Sequence, residues 1–438
     1  MRVPGMRTKE SGVLKYLALL NPWKVHPTPR LYRAYAKEGY QENPILHKAI
    51  KEKMKAVCNT PIHLFKSMGN DKMEEVQNHP LIDVMERPNP AMPYRLFMQT
   101  LVLYHSLRGE AFMEISQAGK SLELTPIRPD LFKIHKGNGL VPEGYELNIS
   151  ANERVQFPVD EITGLSDIVH IRDANPFDMF RGSSEVGAAS RSIDIHNEQS
   201  DWNIAMLQNG GRPSGAIKAV TDEAKGLNGE LDPNQREQLR KMADEHSGAF
   251  NAGRVVLLEG GLEWQEMGMN SKEMDFTKSR ALIANEICST VGVPSQLLGI
   301  PGSQTFANYE QARLSFYVDT VIPLVNYILD YFNFHIVPRL DPTGTLFFGI
   351  KKDEIDALAP LRRELYASLT NSNFLTINEK RRMAGLPEYE ESENPGDQIL
   401  VNTGLIPAEE LLSDASPPAD PNDVPPFGGD DEDDDGES

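Results

Sequence analysis

The chain has little with which to build an active centre or a membrane anchor. Its 438 residues include two cysteines, Cys58 and Cys288, each in an apolar helical pattern. That excludes a disulfide framework and fits a reducing compartment. No apolar run reaches the roughly 18 residues of a membrane-spanning helix. Near the start, "VLKYLALL" is short, is interrupted by Lys15 and lacks a small-residue cleavage site, so it reads as an amphipathic arm. The expected address of the newly made chain is the cytosol. No stretch fits G-x-x-x-x-G-K-[ST], the pattern of a nucleotide cradle. The ten histidines form no His-x-x-x-His pair, and neither cysteine has a histidine at a telling spacing. "GSS" at Gly182–Ser184 is not a nucleophile elbow, and His170 inside an apolar strand reads as a satisfied core histidine. These absences predict no catalytic residue, no metal, no cofactor and no enzyme.

Positive charge is also scarce. The net charge is −20, and ten acids lie in Asp414–Ser438 with no base among them. A general nucleic-acid binder would carry a basic surplus instead. "SPPADPNDVPP" followed by "DDEDDDGES" reads as a solvated tail, not as a cation site.

What is present is an α+β pattern of ordinary composition, 39% hydrophobic and 25% charged. Residues 1–43 are a basic arm. "ILHKAIKEKMKAVCN" places Leu46, Ile50, Met54 and Val57 on one helical face with lysines opposite. "TPIHLFKS" reads as a strand, "HPLIDVMERPNP" as a short helix, and "YRLFMQTLVLYHSLRG" as a helix that Gly109 terminates. Five short strands follow: "EAFMEISQ", "LELTPI", "LFKIHK", "YELNIS" and "DIVHIRD".

The texture changes after Gly182. Ser183–Gln208 has no proline and one glycine, with a thin apolar stripe of Val186, Ala189, Ile193, Ile204 and Leu207. It reads as one long helix of the kind that packs against other copies. "NGGRPSG" at Asn209–Gly215 ends it: Asn209-Gly210 supplies a left-handed cap and Pro213 forbids continuation. Helix, loop, strand is the wrong order for a phosphate cradle. Residues 210–269 read as a strand, a helix opening at Asp232-Pro233, and a hairpin turning at Gly260-Gly261. A second long helix follows, with Phe276, Ile283 and Ile287 as its apolar marks. Two long helices thus flank a small module at their tip. Beyond them a glycine-flanked polar loop feeds a long helix with Pro323 in its interior, which should kink it.

Taken together these stretches resemble the HK97-type portal proteins of tailed bacteriophages. The matching residues are Pro88-Asn89-Pro90, Arg108-Gly109-Glu110-Ala111, Asn209-Gly210 with Arg212-Pro213-Ser214-Gly215, "LEGGLEW", "VGVPSQLLG", Asn308-Tyr309-Glu310 and "LTINEKRRMAGLP". They run in family order over residues 40 to 390. The chain has Gly109-Glu110 where the family often has glycine-asparagine, and Phe306 where it often has tyrosine.

The resemblance implies a portal fold: wing (44–182), first stem helix (183–209), clip (210–269), second stem helix (270–298), tunnel loop (299–308), kinked wing helix and strand (309–352), helical crown (353–395) and an acidic tail (396–438). It implies a ring of twelve subunits at one capsid vertex of the virion, assembled in the cytoplasm of the host bacterium. Double-stranded DNA would pass the channel in packaging and ejection, with weak, non-specific contacts. The partners implied are other copies of the chain, the packaging motor (large terminase), the head-to-tail adaptor and the major capsid protein, with no membrane. Gly302, Ser303, Gln304, Thr305, Phe306 and Asn308 would face DNA, with Asn308 as the N-cap of the kinked helix. Arg212, Arg236, Glu237 and Arg240 would dock partners at the clip, and Ile193, Ile204, Phe276, Ile283 and Ile287 would pack the stem. On residues alone two alternatives stay open: another ring or adaptor protein of the virion, and a cytosolic enzyme.

Overall fold

The computed structural model describes residues 32–69, 73–118, 121–137, 139–150, 152–208, 215–219, 221–222, 227–228, 233–245, 262–266, 276–300, 306–372, 374–386, 388–389, 400–401 and 406–407. It divides into two units, Met1–Lys351 and Lys352–Ser438.

The first unit is organised around α1, Pro44–Cys58. Asn43 caps it: its side-chain oxygen accepts from the Ile45 and Leu46 amides, and Pro44 opens the first turn without wasting a donor. Leu46, Ile50 and Val57 are fully buried, as their spacing predicts. Lys53 corrects that reading. It is buried with them, not opposite, since it stands three residues after Ile50 and four before Val57.

Strand β1, Ile62–Ser67, pairs antiparallel with β2, Met73–Val76, and with a late strand, Leu346–Ile350, so the two ends of the unit share one sheet. The short helix α2, Pro80–Glu86, leads to α3, Tyr94–Arg108, which ends at Gly109 in the left-handed conformation, φ 72°. Next come β3 (Glu110–Ala118), β4 (Ser121–Ile127), β5 (Phe132–His135), β6 (Gly144–Asn148), β7 (Arg154–Pro158) and β8 (Ile168–Arg172). They form two three-stranded sheets, ordered β4-β3-β8 and β5-β6-β7. The strand pattern missed β2 and β7; both are short and largely exposed, so neither shows an apolar alternation.

The long helix expected over 183–208 is two. A four-residue helix, α4 (Glu185–Ala188), is capped by Ser184, and α5 (Ser190–Gln208) begins after a break at Ala189. The break follows Gly187, whose bare backbone packs on Tyr35: a Cβ there would meet the Tyr35 hydroxyl at 3.1 Å. Of the expected tip module, strands β9 (Gly215–Ala219) and β10 (Leu262–Glu266) pair antiparallel, and α6 (Pro233–Glu245) lies between them in sequence. The turn at Gly260-Gly261 lies outside the described residues. The second long helix is described as α7, Phe276–Thr290; its expected start at Asn270 also falls outside.

At Pro323 the helix changes type. Helix α8 (Phe306–Phe316) passes through a π-helical segment, Tyr317–Val321, into α9 (Ile322–His335), with Pro323 in the first turn of α9. Proline removes a donor and crowds the carbonyl four residues back, and the widened turn accommodates both. The core of this unit gathers α1, α3, α7 and α9 around Ile50, Phe97, Ile287 and Phe332. A smaller cluster around Phe112, Phe132 and Tyr145 lies between the β4-β3-β8 and β5-β6-β7 sheets.

In the second unit, α10 (Ala359–Asn371) is followed by α11 (Ile377–Met383). A reciprocal capping box opens α11: the Glu379 amide donates to Thr376 Oγ1, and the Thr376 amide donates to the Glu379 carboxylate.

Candidate functional site

Helices α5 and α7 run side by side and are joined by polar contacts as much as by apolar ones. Gln199 donates to Ser279 Oγ at 3.1 Å, and Arg280 reaches Ser200 Oγ at 3.3 Å and His196 Nε2 at 3.5 Å. Asn43 Nδ2 lies 3.2 Å from His196 Nδ1 and donates to Asn197 Oδ1 at 2.9 Å, tying the start of α1 to α5. Burial, with the Arg280 charge second, holds the His196 imidazole below its ordinary pKa. Among the expected stem residues, Ile193 and Ile287 are buried within the chain and Ile283 packs partly against the core. Ile204 is 51% exposed, and Ile195 and Leu282 lie open beside the same pair. The Phe276 and Leu207 side chains lie outside the described residues.

The base of α7 is clamped. Lys53 Nζ, 2% exposed, meets both Glu185 carboxylate oxygens at 2.7 and 2.9 Å and the Val291 carbonyl at 3.3 Å. Lys48 Nζ donates to the Leu298 carbonyl at 2.6 Å, and Thr320 Oγ1 donates to the Gly292 carbonyl at 2.7 Å. Gly299 is left-handed, φ 71°, and closes the 3-10 turn Ser295–Leu298. The chain therefore enters the polar loop from a fixed point and leaves it into α8. Gly302, Ser303, Gln304 and Thr305 lie outside the described residues, as does the Phe306 side chain. Asn308 is not the N-cap of the helix: α8 begins at Phe306, which places Asn308 in its third position, exposed. The sequence logic took the nearest cap-type residue, while the helix reaches back to the aromatic.

Arg236 and Glu237 are exposed on α6, and Glu237 pairs with Lys241 at 3.4 Å along one helix face. Arg212 and the Arg240 side chain lie outside the described residues.

The densest charge cluster joins the sheets to α4, and it was not foreseen. Glu110, fully buried at the head of β3, receives Arg181 at 2.9 Å, the Gly182 amide at 3.2 Å and His170 Nε2 at 3.1 Å; Arg108 lies 3.5 Å away. Desolvation raises the carboxyl pKa, but His170, Arg181 and the Gly182 amide outweigh it and hold it below its ordinary value. His170 is stacked on Phe112 at 4.2 Å, and burial keeps it neutral. A carboxylate only accepts, so Nε2 carries the proton and Nδ1 is left a buried acceptor without a partner among the described residues. The reading of His170 as a structural histidine holds. The missed signal is Glu110 itself, standing where the resembling family often has asparagine and followed by apolar residues on both faces of its strand. Among the described residues no group of three or more His, Cys, Asp or Glu is placed to hold a metal.

Comparison with known proteins gives this arrangement its context. The family model described as "Phage portal protein" matches residues 44–385. An uncharacterized protein of Rickettsia bellii (strain RML369-C) is 34% identical over 360 residues, 82% of this chain and 90% of its own. One of Rickettsia felis is 35% identical over 355 residues, 80% and 88% of the two chains. Among solved structures, a chain in the neck of an empty gene transfer agent particle, computed with C6 symmetry, is 31% identical with a TM-score of 0.62, covering 83% of this chain and 95% of that one. A chain in the neck of the native particle, computed with C12 symmetry, is 30% identical with a TM-score of 0.61, covering 86% and 99%. The crystal structure of an HK97-family portal protein from Corynebacterium diphtheriae shares the fold at 15% identity, with a TM-score of 0.50 over 73% and 94% of the chains. With its mixed helix-and-sheet fold and a family match spanning most of its length, this chain belongs to the phage portal protein family.

Proposed function

We propose that the chain forms a closed ring of twelve at one vertex of a phage or gene-transfer-agent particle, and that the ring is the channel for DNA. The observation that carries this reading is the apolar surface that α5 and α7 leave exposed. Ile195, Ile204 and Leu282 are 49%, 51% and 68% exposed on helices otherwise joined by polar contacts. Large apolar side chains repeated along a helix pair call for a partner, and a ring supplies one as an identical neighbour. The similar chains in gene-transfer-agent necks, computed with C6 and C12 symmetry, support the same reading.

Within it, α5 and α7 are the stem, residues 210–269 the clip, 299–308 the tunnel loop, 44–182 with 309–352 the wing, and 353–395 the crown. In the C-terminal unit, Leu361, Leu365 and Tyr366 leave one side of α10 open, which suits neighbours in the same ring. The clip, with Arg212, Arg236, Glu237 and Arg240, docks the packaging motor and later the adaptor; the major capsid protein surrounds the wing. The chain does no chemistry of its own: the ring is assembled in the host bacterial cytoplasm, and a separate motor supplies the energy. An acidic body suits a conduit, since neutralising many phosphates would grip the DNA that must slide.

Mass measurement and negative-stain imaging of the purified chain test the proposal. A closed ring with a central hole is expected; monomers or dimers at every salt concentration would reject it. ATP turnover that disappears on substituting a residue of this chain would reject the non-enzymatic role.

A further inference from the structure

Helices α5 and α7 run antiparallel. At one end Lys53 bridges Glu185, just ahead of α5, to the Val291 carbonyl, just past α7. Farther along, Gln199 meets Ser279 and Ser200 meets Arg280. Between these marks Arg191 comes level with Glu286, Ile195 with Leu282 and Asp201 with Lys278, each to within about one residue of rise. The pair itself is joined through other side chains, those of His196, Gln199, Ser200, Ser279 and Arg280.

The level residues form two exposed stripes of opposite sense. On α5, Arg191, Ile195 and Glu198 share one face at steps of four and three, and Asp201 follows three residues on. On α7, Glu286, Leu282 and Lys278 share one face at steps of four. Along the same direction, the first stripe is cation, apolar, acids, and the second is acid, apolar, cation. Arg191, Glu198, Asp201 and Glu286 enter no ion pair among the described residues. Lys278 has three donors, so a contact within its own chain leaves others for a neighbour.

A closed ring of more than two copies uses a heterologous contact, one face of each copy against a different face of the next. Rotation about the ring axis has no rise, so helices lying along that axis meet their neighbours level for level. At a net charge of −20 identical copies repel overall, and a charge-matched seam offsets that repulsion. We propose that α5 of one copy lies along α7 of the next, pairing Arg191 with Glu286, Ile195 with Leu282, and Glu198 and Asp201 with Lys278. This contact rests on the ring reading and names the two faces that close the ring. A slip of one helical turn would set an apolar side chain against a charge, so the stripes specify register as well as partner.

The test is oxidation of the full chain carrying Ile195→Cys with Leu282→Cys, beside each single variant, with assembly size measured by mass in parallel. Both sites are open, 49% and 68% exposed, and both natural cysteines are buried. The pair should give a covalent ladder between chains up to the full ring, and each single variant should give no covalent dimer. Dimers from Ile195→Cys alone would overturn the proposal and assign α5 a two-fold contact. A bond closed within single chains would overturn it too. Rings that form without the ladder would overturn this contact and leave the ring reading standing; absence of rings would overturn both. Should the cysteine pair fail to fold, charge reversal decides. Arg191→Glu and Glu286→Arg should each raise the concentration of half-assembly about fivefold at low salt. Mixing the two variants should restore assembly, because alternating copies match every seam. Unchanged assembly by either variant, or no rescue on mixing, would overturn the proposal.

Discussion

Gly109 and Gly182 meet backbone to backbone: a Cβ built on Gly182 would lie 1.9 Å from the Gly109 carbonyl oxygen. The same crossing brings the Ser183 carbonyl to 2.1 Å from a Cβ on Gly109, which is also left-handed. Around it, Glu110 takes the Gly182 amide and Asn175 donates to the Gly182 carbonyl. The turn out of α3 and the turn into α4 are thus one structural knot, and it joins the sheets to the helix pair.

Alanine at either glycine should therefore unfold the knot. No side chain can move aside, because the clash is with main chain. A loss above about 4 kcal/mol is expected, at the exceptional end of single substitutions. Gly139→Ala is the control: its Cβ would meet nothing within 4 Å, at a φ open to any residue. Urea midpoints of the three variants check this, and a Gly182→Ala midpoint matching Gly139→Ala would refute it.

Acid should weaken the chain in two steps. His170, His196 and His335 all have pKa values lowered by burial, His335 to about 4, helped there by Arg339. Below the ordinary 6.5 the unfolded chain binds protons that the folded chain refuses, so stability falls as pH falls. Glu110, held below 4.5, adds a further loss once the unfolded carboxyl begins to protonate. From His335 alone the slope approaches about 1.4 kcal/mol per pH unit between 6.5 and 4. Melting temperature measured from pH 7.5 to 4.5 should drop, and His335→Gln should flatten that drop. A curve that His335→Gln leaves unchanged would show that its ring is not the neutral, buried group described.

Asn43 has two jobs, and substitution separates them. Its oxygen caps α1 and its amide holds His196 and Asn197. Asn43→Ser keeps a cap acceptor and loses the tie to α5; Asn43→Ala loses both. Alanine should cost about 1 kcal/mol more than serine by the capping difference. Thermal unfolding of the pair measures it, and equal losses would mean that the cap contributes nothing.

Much of this architecture was legible from local rules. Gly109 as a helix stop, Pro323 as a helix disturbance and five of the strands follow from turn chemistry and apolar spacing, which act within a few residues. What escaped depends on distant partners. Lys53 looks like a surface lysine until Glu185, 132 residues on, is placed beside it. Glu110 looks like a strand-edge acid until Arg181 and His170 fold over it. The bare backbone of Gly187 packs on Tyr35, a contact no window along the helix contains. The expected stem residues divide for the same reason: Ile193 and Ile287 find cover within one chain, while Ile204 stays half exposed.

The stretch 302–305, between Gly299 and α8, gives the sharpest test of the channel. It leaves from Gly299 and enters α8, and its near end is pinned through Leu298 to Lys48. Ser303, Gln304 and Thr305 are polar and uncharged. Such groups exchange hydrogen bonds with phosphate and water but release no counterions, so contacts with passing DNA stay weak and blind to sequence. Gln304→Ala should package DNA at the normal rate. Gln304→Lys should slow or stall packaging, because every subunit of the ring would add one cation to the same level of the channel. Screening weakens such attraction, so the defect should be largest at low salt and shrink as salt rises. Asn308→Ala, inside α8 and not at its cap, should not carry the roughly 1 kcal/mol cost of losing a helix cap. The measurement is DNA packaged per unit time into particles assembled with each variant, at several salt concentrations. Wild-type packaging by Gln304→Lys rings at low salt would place this loop away from the DNA path.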